Sequence, residues 1–355
     1  MPPRDLLELR LIQAWEDVFN KRPISITDNF FDIGGHSLLA VRLVAQVKEK
    51  LRRVLPLSAL VQGASVESLA EMLRRQEGGA PDSPLVAIQP LGNRSPLFCV
   101  HPIGGNILCY VQLGRGLGSE RPLYGLQAFG DNQKLDQIDS MAAHYISQMR
   151  IVQPEGPYIL GGWSFGGVVA FEMARQLEQQ QQDVGALILI DSWATRHSGE
   201  QYDHADLLAR FIADTAGIAG KPASLHIDGL RTLDHQEQMR CLLNQAISLG
   251  ILPRDLELSH FSDLFDVFCR NVKALQGYSP SRAALNGRVV LFRSIEGKNE
   301  SADGRTLGWD RLIEGSLDVR DAAGDHYSML TGFNGGELAQ QVTAYLNAAD
   351  IRQPE

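Results

Sequence analysis

The sequence lacks any apolar run long enough to cross a bilayer, which takes about 20 such residues. Its longest run, Ala186–Ile190, is short and is better explained as a buried strand. The N-terminal residues are charged and show no apolar stretch followed by small residues, so no export signal is visible. We therefore expect a cytoplasmic protein without a membrane partner.

Basic residues and cysteines are also scarce. The chain has 33 Lys and Arg against 42 Asp and Glu, a formal net charge of -9. Nucleic acids and anionic membranes select basic surfaces, so we expect neither as a partner. The four cysteines show no metal-like pairing, and we expect no metal site and thiols that are reduced and mostly buried: Cys99, Cys109, Cys241 and Cys269.

The length of the chain predicts two domains, since 355 residues are too many for one ordinary domain. Residues 1–75 show helical spacing of apolar residues and predict a small all-α four-helix bundle. The repeating positions are Leu11, Trp15, Val18 and Phe19, then Leu43, Val47 and Leu51, then Leu69, Met72 and Leu73 after a capping Ser65. Residues 76–85 are rich in breakers without periodicity, which indicates a flexible linker.

Residues 86–350 alternate short apolar runs with amphipathic stretches. This alternation predicts an α/β domain around a mostly parallel sheet. The strand-like runs are Leu97–Val100, Tyr158–Leu160, Leu187–Ile190, Val289–Phe292 and Leu317–Val319. From about residue 195 to 282 only helical segments occur, which predicts a helical lid that moves. Its Phe-rich stretch, Phe261–Phe268, either forms the lid core or contacts substrate.

Ser37 follows Gly34-Gly35-His36 and begins an amphipathic helix. One interpretation is a simple N-cap, a common role for serine. The other is covalent modification. A phosphodiester on Ser37 would lie at a helix N-terminus, where backbone N–H groups and the dipole favour an anion.

A second serine, Ser164, lies in Gly-Trp-Ser-Phe-Gly-Gly between a predicted strand and a helix, a setting typical of a nucleophile elbow. A serine nucleophile needs a base and a group that orients the base. The order nucleophile, acid, histidine selects His326, because the other eight histidines precede Ser164 or fall in the helical insertion. The acid is either Asp191, at the end of one strand, or Glu296, after the next.

An oxyanion hole requires two backbone N–H groups. We expect one from Phe165, after the nucleophile, and the other from Ile103 in the His101-Pro-Ile-Gly-Gly loop. His101 itself is expected to hold that loop. Trp163 either shapes an acyl pocket or packs the elbow.

Both motifs resemble one family. The Gly-Gly-His-Ser-Leu string is similar to the phosphopantetheine-attachment motif of peptidyl carriers in nonribosomal peptide synthetases, over about residues 5–75. Residues from about 85 to 348 resemble the type I thioesterase domains of these synthetases, an α/β-hydrolase fold with a helical lid. The matching pieces are His101-Pro-x-Gly-Gly, Gly162-x-Ser-x-Gly-Gly, Leu189-Ile-Asp191 and Gly324-Asp-His326.

The resemblance implies that Ser37 carries 4'-phosphopantetheine, installed from coenzyme A by a separate phosphopantetheinyl transferase. It also favours Asp191 as the acid, in a triad with Ser164 and His326. The implied function is release of a carrier-tethered acyl or peptidyl group, as a free acid or a ring, at the end of nonribosomal peptide synthesis. Upstream condensation and adenylation domains would be partners, so we expect the chain to be a piece of a larger synthetase.

Other interpretations stay open at this point. The hydrolase-like domain could serve docking only, or the chain could be an esterase or lipase with a fused helical domain. A polyketide pathway is disfavoured, because its carriers more often have Asp where this chain has His36.

Overall fold

A computed structural model describes residues 1–51, 53, 55–75, 83–128, 135–194, 202–227, 229–254, 256–296 and 304–350. The Ser37 side chain, residues 76–82 of the predicted linker, and residues 195–201 at the predicted start of the lid lie outside the described residues. The chain forms two compact units, Met1–Asp82 with Tyr202–Asp266 and Ser83–Gln201 with Val267–Glu355. The domain boundaries given above remain a prediction.

The described helices and strands include all five strand-like runs predicted from the sequence. The helices are α1 (Leu6–Phe19), α2 (Ser37–Leu51), α3 (Ala59–Gln62), α4 (Val66–Arg75), α5 (Val111–Leu117), α6 (Ile138–Val152), α7 (Phe165–Gln179), α8 (His204–Ile218), α9 (His235–Ser248), α10 (Leu258–Gly277) and α11 (Gly332–Asp350). The strands are β1 (Leu85–Gln89), β2 (Leu97–Val100), β3 (Leu123–Leu126), β4 (Tyr158–Trp163), β5 (Val184–Ile190), β6 (Ala283–Ala284), β7 (Arg288–Ser294), β8 (Ile313–Glu314) and β9 (Leu317–Ala322).

The N-terminal region is the predicted four-helix bundle, α1 to α4. The Ser65 hydroxyl accepts from the backbone N–H of Ser68 at 3.2 Å, which confirms it as the cap of α4. Trp15 packs its ring against Phe19 and Phe30 in the core. Most of the predicted core positions are buried, namely Leu11, Trp15, Val18, Leu43, Val47, Leu69 and Leu73, whereas Phe19, Leu51 and Met72 are half-buried.

The second unit is built on a seven-stranded sheet in the order β1-β3-β2-β4-β5-β7-β9. Among the described strands of this sheet, only β1 pairs antiparallel, with β3, and every other pair is parallel. Helix α7 packs on β4 and β5 and against α6, while α5 packs against α11. The mostly parallel α/β architecture is therefore confirmed. Parallel strands place their C-terminal ends along one edge, where ligands bind in such sheets.

Helices α8, α9 and α10 form the predicted helical insertion. Capping boxes begin α8 at Asp203 and α9 at Asp234. Phe261, Phe265 and Phe268 are all buried, and the Phe211 ring packs against the first two at 5.5 and 5.7 Å. This burial favours the lid-core interpretation of the Phe-rich stretch over substrate contact.

None of the helices in the described ranges is long and apolar enough to cross a membrane. Within those ranges, no group of three or more His, Cys, Asp or Glu side chains could hold a metal ion. Cys99 is buried, and the other three cysteines are only half-buried, so the expectation of mostly buried thiols is met at one position.

Candidate active site

Ser164 lies at the sharp turn between β4 and α7. Its backbone has φ 56° and ψ -123°, a region that non-glycine residues rarely adopt and that is found at strained functional sites. The turn is fixed by two backbone hydrogen bonds, from Ser164 N to Ile190 O at 2.9 Å and from Gly167 N to Ser164 O at 3.1 Å. The serine is half-buried at the C-terminal end of a central strand, the predicted position for a nucleophile.

The glycines around Ser164 are required by close backbone approach. A Cβ on Gly162 would lie 2.1 Å from the carbonyl carbon of Gly166. A Cβ on Gly166 would lie 2.2 Å from the Val100 carbonyl oxygen at the end of β2. Neither position accepts a side chain without moving backbone, so the motif is explained by packing at the elbow.

Asp191 follows β5 directly and is fully buried. Its Oδ2 lies 2.7 Å from His326 Nδ1. The end of β7 supplies two more donors to the same carboxylate, since Ser294 N donates to Oδ1 at 2.8 Å and Ser294 Oγ donates to Oδ2 at 3.1 Å. A carboxylate only accepts, so His326 Nδ1 carries the proton and Nε2 of a neutral imidazole is left as the basic nitrogen.

The geometry separates the two candidate acids. Glu296 is exposed, and its backbone N–H donates to the Gly324 carbonyl at 3.0 Å, while the imidazole of His326 is bonded to Asp191. The later strand instead contributes Ser294. Ser294 was not predicted from the sequence, because a serine at a strand end carries no local signal of the residue it will contact.

Two tryptophans flank the His326 ring, with centroid distances of 5.0 Å to Trp163 and 5.1 Å to Trp193. The Trp163 indole N–H also donates to the His326 carbonyl at 3.0 Å. Trp163 is buried, which favours packing of the elbow over a role as a pocket wall. This residue therefore connects the turn that holds Ser164 to the loop that holds His326.

The loop around His326 is further fixed by Asp325. Its carboxylate accepts from the backbone N–H of Ser328 at 2.7 Å, from the Ser328 hydroxyl at 2.7 Å and from Tyr327 N at 3.1 Å. These hydrogen bonds, that from Ser328 N above all, hold the pKa of Asp325 below its usual value. A charged Asp325 thus anchors the turn that presents the imidazole.

The two predicted oxyanion donors lie on separate elements. Phe165 is the first residue of α7, and Ile103 lies in the loop after β2. His101 is fully buried in that loop, where its Nδ1 faces the Pro102 carbonyl at 2.7 Å and its Nε2 faces the Tyr145 hydroxyl at 2.8 Å. Burial lowers the pKa of His101 to about 4. A neutral, fully hydrogen-bonded His101 fits the expected structural role.

The carrier motif sits where the sequence predicts. Ser37 is the first residue of α2, and the His36 carbonyl accepts the first intrahelical hydrogen bond, from Ala40 N at 2.9 Å. His36 therefore occupies the N-cap position, which argues against a simple N-cap role for Ser37. A Cβ on Gly35 would lie 2.3 Å from the Phe30 carbonyl oxygen, so the approach to the helix needs glycine. The first N–H groups of a helix have no partner within it, so the start of α2 at Ser37 fits a phosphodiester on that residue.

Comparison with known proteins agrees with both motifs. Residues 95–346 match the thioesterase domain family, and residues 9–73 match the phosphopantetheine attachment site family. The covalently bound cofactor of the carrier domain is therefore 4'-phosphopantetheine.

Two synthases are similar to most of this chain, which spans only a small part of each. The chain is 36% identical over 82% of its length to a dimodular nonribosomal peptide synthase of Bacillus subtilis, of which it spans 12%. It is 35% identical over 94% of its length to an indigoidine synthase of Streptomyces lavendulae, of which it spans 24%.

Among solved structures, holo-AB3403, a four-domain nonribosomal peptide synthetase bound to AMP and glycine, matches 97% of the chain with 34% identity and a TM-score of 0.72. The match covers 26% of that synthetase. The NocB thioesterase domain, solved as a covalent complex with a fluorophosphonate nocardicin G analog, matches 74% of the chain at 25% identity with a TM-score of 0.53, and 99% of that domain is covered.

A carrier domain next to a thioesterase domain supports thioester carrying and chain release. The matches cover the helical bundle and the α/β domain, each with its own family. The chain belongs to the thioesterase domain family and joins that domain to a phosphopantetheine-binding carrier, as a carrier–thioesterase pair of the nonribosomal peptide synthetase type.

Proposed function

We propose that Ser37 is the attachment point of 4'-phosphopantetheine and that Ser164 releases the acyl or peptidyl group carried there through an acyl enzyme. When bound, the cofactor supplies a flexible arm ending in a thiol that holds the acyl group as a thioester. The observation that carries the proposal is the Asp191–His326 hydrogen bond of 2.7 Å, together with the strained Ser164 elbow, whose neighbour Trp163 donates to the His326 carbonyl at 3.0 Å.

In the first half of the reaction, His326 acts as a base and then as an acid. His326 Nε2 takes the proton of the Ser164 hydroxyl while its oxygen attacks the thioester carbonyl carbon. Asp191 holds the imidazole in the required tautomer and stabilises the imidazolium. His326 then returns the proton to sulfur as the carbon–sulfur bond breaks, which leaves an ester on Ser164.

Backbone N–H groups of Ile103 and Phe165 stabilise the oxyanion of the tetrahedral intermediate. Such donors act because they are already oriented toward the developing charge, and loss of one typically costs about 10²–10³ in turnover. Phe165 begins α7, so its N–H also belongs to the positive end of a helix.

In the second half, His326 takes a proton from the attacking nucleophile and gives it to Ser164 as the ester opens. If the nucleophile is water the product is a free acid, and if it is a group of the acyl chain itself the product is a ring. Attachment to the carrier replaces diffusion by a high local concentration, so binding of free substrate can be weak. A phosphopantetheinyl transferase and upstream condensation and adenylation domains are the proposed partners.

The test is intact-protein mass spectrometry after loading with a broad phosphopantetheinyl transferase and an acyl-coenzyme A. Wild type should gain the acyl-pantetheine mass and then lose the acyl group. Ser37→Ala should never load, and Ser164→Ala should load and keep the group. The released product separates hydrolysis from cyclisation, because the ring is lighter than the acid by one water.

Other outcomes would contradict specific parts of the proposal. Failure of wild type to load would exclude Ser37 as the attachment point and favour an esterase with a fused helical domain. Equal persistence of the acyl group in wild type and Ser164→Ala, repeated with peptidyl groups, would favour a hydrolase-like domain that serves docking only.

A further inference from the structure

The loop that carries Ile103 is held by a residue of the helical insertion. Asn271, on α10, donates from Nδ2 to the Ile103 carbonyl at 2.8 Å. Asn271 is only 1% exposed, so its amide is largely withdrawn from water, whereas Ile103 is half-buried. A buried amide that lost its partner would incur a desolvation penalty, which keeps the bond formed.

A second contact from α10 reaches the same loop. Gly105 has φ 81°, and a Cβ there would lie 2.5 Å from Val267 Cγ1. Val267 and Asn271 are four residues apart and therefore lie on one face of the helix. One face of α10 thus contacts the loop at Ile103 and at Gly105. A backbone hydrogen bond also holds the loop, because Ala128 N donates to the Gly105 carbonyl at 2.8 Å.

These contacts fix both peptide planes around Ile103. A peptide unit is planar, with its N–H pointing opposite to its carbonyl. The Pro102 carbonyl, bonded to His101 Nδ1 at 2.7 Å, therefore sets the direction of the Ile103 N–H. The Ile103 carbonyl, bonded to Asn271, fixes the next plane. Ile103 is therefore restrained on its N–H side through Pro102 and on its carbonyl side through Asn271. Without Asn271 it is restrained from one side only, so the position of its N–H is less closely fixed.

We propose that Asn271 is a positioning residue for the oxyanion site, which holds the Ile103 peptide in the orientation that stabilises the tetrahedral intermediate. This inference rests on the proposed function of Ile103 as an oxyanion donor. Because α10 belongs to the helical insertion, the geometry of the oxyanion loop depends on the placement of a lid helix.

The experiment compares two buried amides of the lid. Asn271→Leu removes the donor to Ile103 at similar volume. Gln238→Leu is the matched control, since Gln238 is also buried and donates to the backbone carbonyls of Leu230 and Leu233, within the lid. Both variants are made in the full chain, and kcat and KM are measured on an acyl N-acetylcysteamine thioester. The inhibition constant of an acyl-chain boronic acid, which mimics the tetrahedral oxyanion, is measured in parallel.

We expect Asn271→Leu to lower kcat by about 10–100-fold, below the full loss of an oxyanion donor, with KM changed less than twofold. The boronic acid inhibition constant should rise by the same factor as kcat/KM falls. Gln238→Leu should lower the melting temperature without changing kcat/KM or the boronic acid inhibition constant by more than twofold. If Asn271→Leu does not fold, Asn271→Ala, which suits a helix, is measured in its place.

The inference is overturned if the Asn271 variant behaves like Gln238→Leu, or if its loss appears in KM alone. Failure of the proposed function looks different. In that case wild type and Ser164→Ala would turn over the thioester equally, whatever residue 271 is.

Discussion

Asp191 Oδ2 and His326 Nδ1 lie 2.7 Å apart although 135 residues separate them in the chain. The carboxylate is fully buried and already accepts two hydrogen bonds from Ser294. An acid held by three donors at the end of β5 cannot turn away from the imidazole. Substitution within this rigid pair is therefore the most direct test of the activity of the domain.

Asp191→Asn should lower the rate of acyl release by about 10⁴-fold, because an amide cannot enforce the tautomer with the proton on Nδ1. Glu296→Gln is the matched control and should leave the rate within twofold, since Glu296 is exposed. Single-turnover release from the loaded carrier measures both. A large loss in Glu296→Gln with activity retained in Asp191→Asn would assign the acid to the later strand.

Ser294→Ala should slow release by about tenfold. It removes one hydrogen bond to a charged carboxylate, which is worth about 1.5–3 kcal/mol, and keeps the bond from the backbone N–H. Ser192→Ala is the control, because Ser192 is buried next to Asp191 and its hydroxyl has no hydrogen-bond partner among the described residues. Equal rates for the two variants in the same single-turnover assay would show that Ser294 does not orient Asp191.

Trp163→Phe should lower kcat about fivefold with KM unchanged, because it removes the hydrogen bond to the His326 carbonyl, worth about 1 kcal/mol, and keeps an aromatic ring. Trp193→Phe retains a ring beside His326 and should have a smaller effect on kcat. Steady-state kinetics on the thioester surrogate measure both. A rise in KM for Trp163→Phe, with kcat preserved, would instead support a role in binding the acyl chain.

Glu8 in the carrier should make the stability of the helical bundle depend on pH. Its carboxylate is fully buried and bonded to Arg4 at 2.7 Å and to Arg74 at 3.1 Å. The Arg4 hydrogen bonds above all lower the pKa of Glu8 from 4.5 to about 2. A lowered pKa means that this stabilisation is complete above pH 4.5 and is lost as the pH falls through about 2.

Glu8→Gln should therefore lower the protection of α1 and α4 from hydrogen exchange at neutral pH. As the pH falls, this protection should decrease less than it does in wild type. Hydrogen–deuterium exchange with mass spectrometry on the full chain measures this locally. Glu49→Gln, at an exposed position of α2, controls for the change in net charge. An unchanged acid profile in Glu8→Gln would show that the ion pairs with Arg4 and Arg74 do not stabilise the bundle.

Both serines could be located from sequence because their environments are local. Gly162 and Gly166 lie against backbone that is either close in the chain or at the end of a neighbouring strand, so one short motif contains both required glycines. The start of α2 at Ser37 likewise follows from adjacent residues. Five strands of the sheet and the lid helices were predicted because their apolar residues form clear runs or recur at helical spacing. Strands β1 and β3, short and near the edge of the sheet, were not singled out.

The sequence by itself predicted the two domains, the two serines and His326, since each prediction depends on a local pattern or on chain order. Only the tertiary structure decided which of Asp191 and Glu296 is hydrogen-bonded to His326. Strands β5 and β7 are parallel neighbours with Ile190 opposite Phe292, so both acids end up at the same edge of the sheet, and only one meets the imidazole. The contacts of Ser294, Trp163 and Asn271 were decided in the same way. Each joins segments distant in the chain, and no local periodicity encodes which side chains will meet when a sheet and its helices pack.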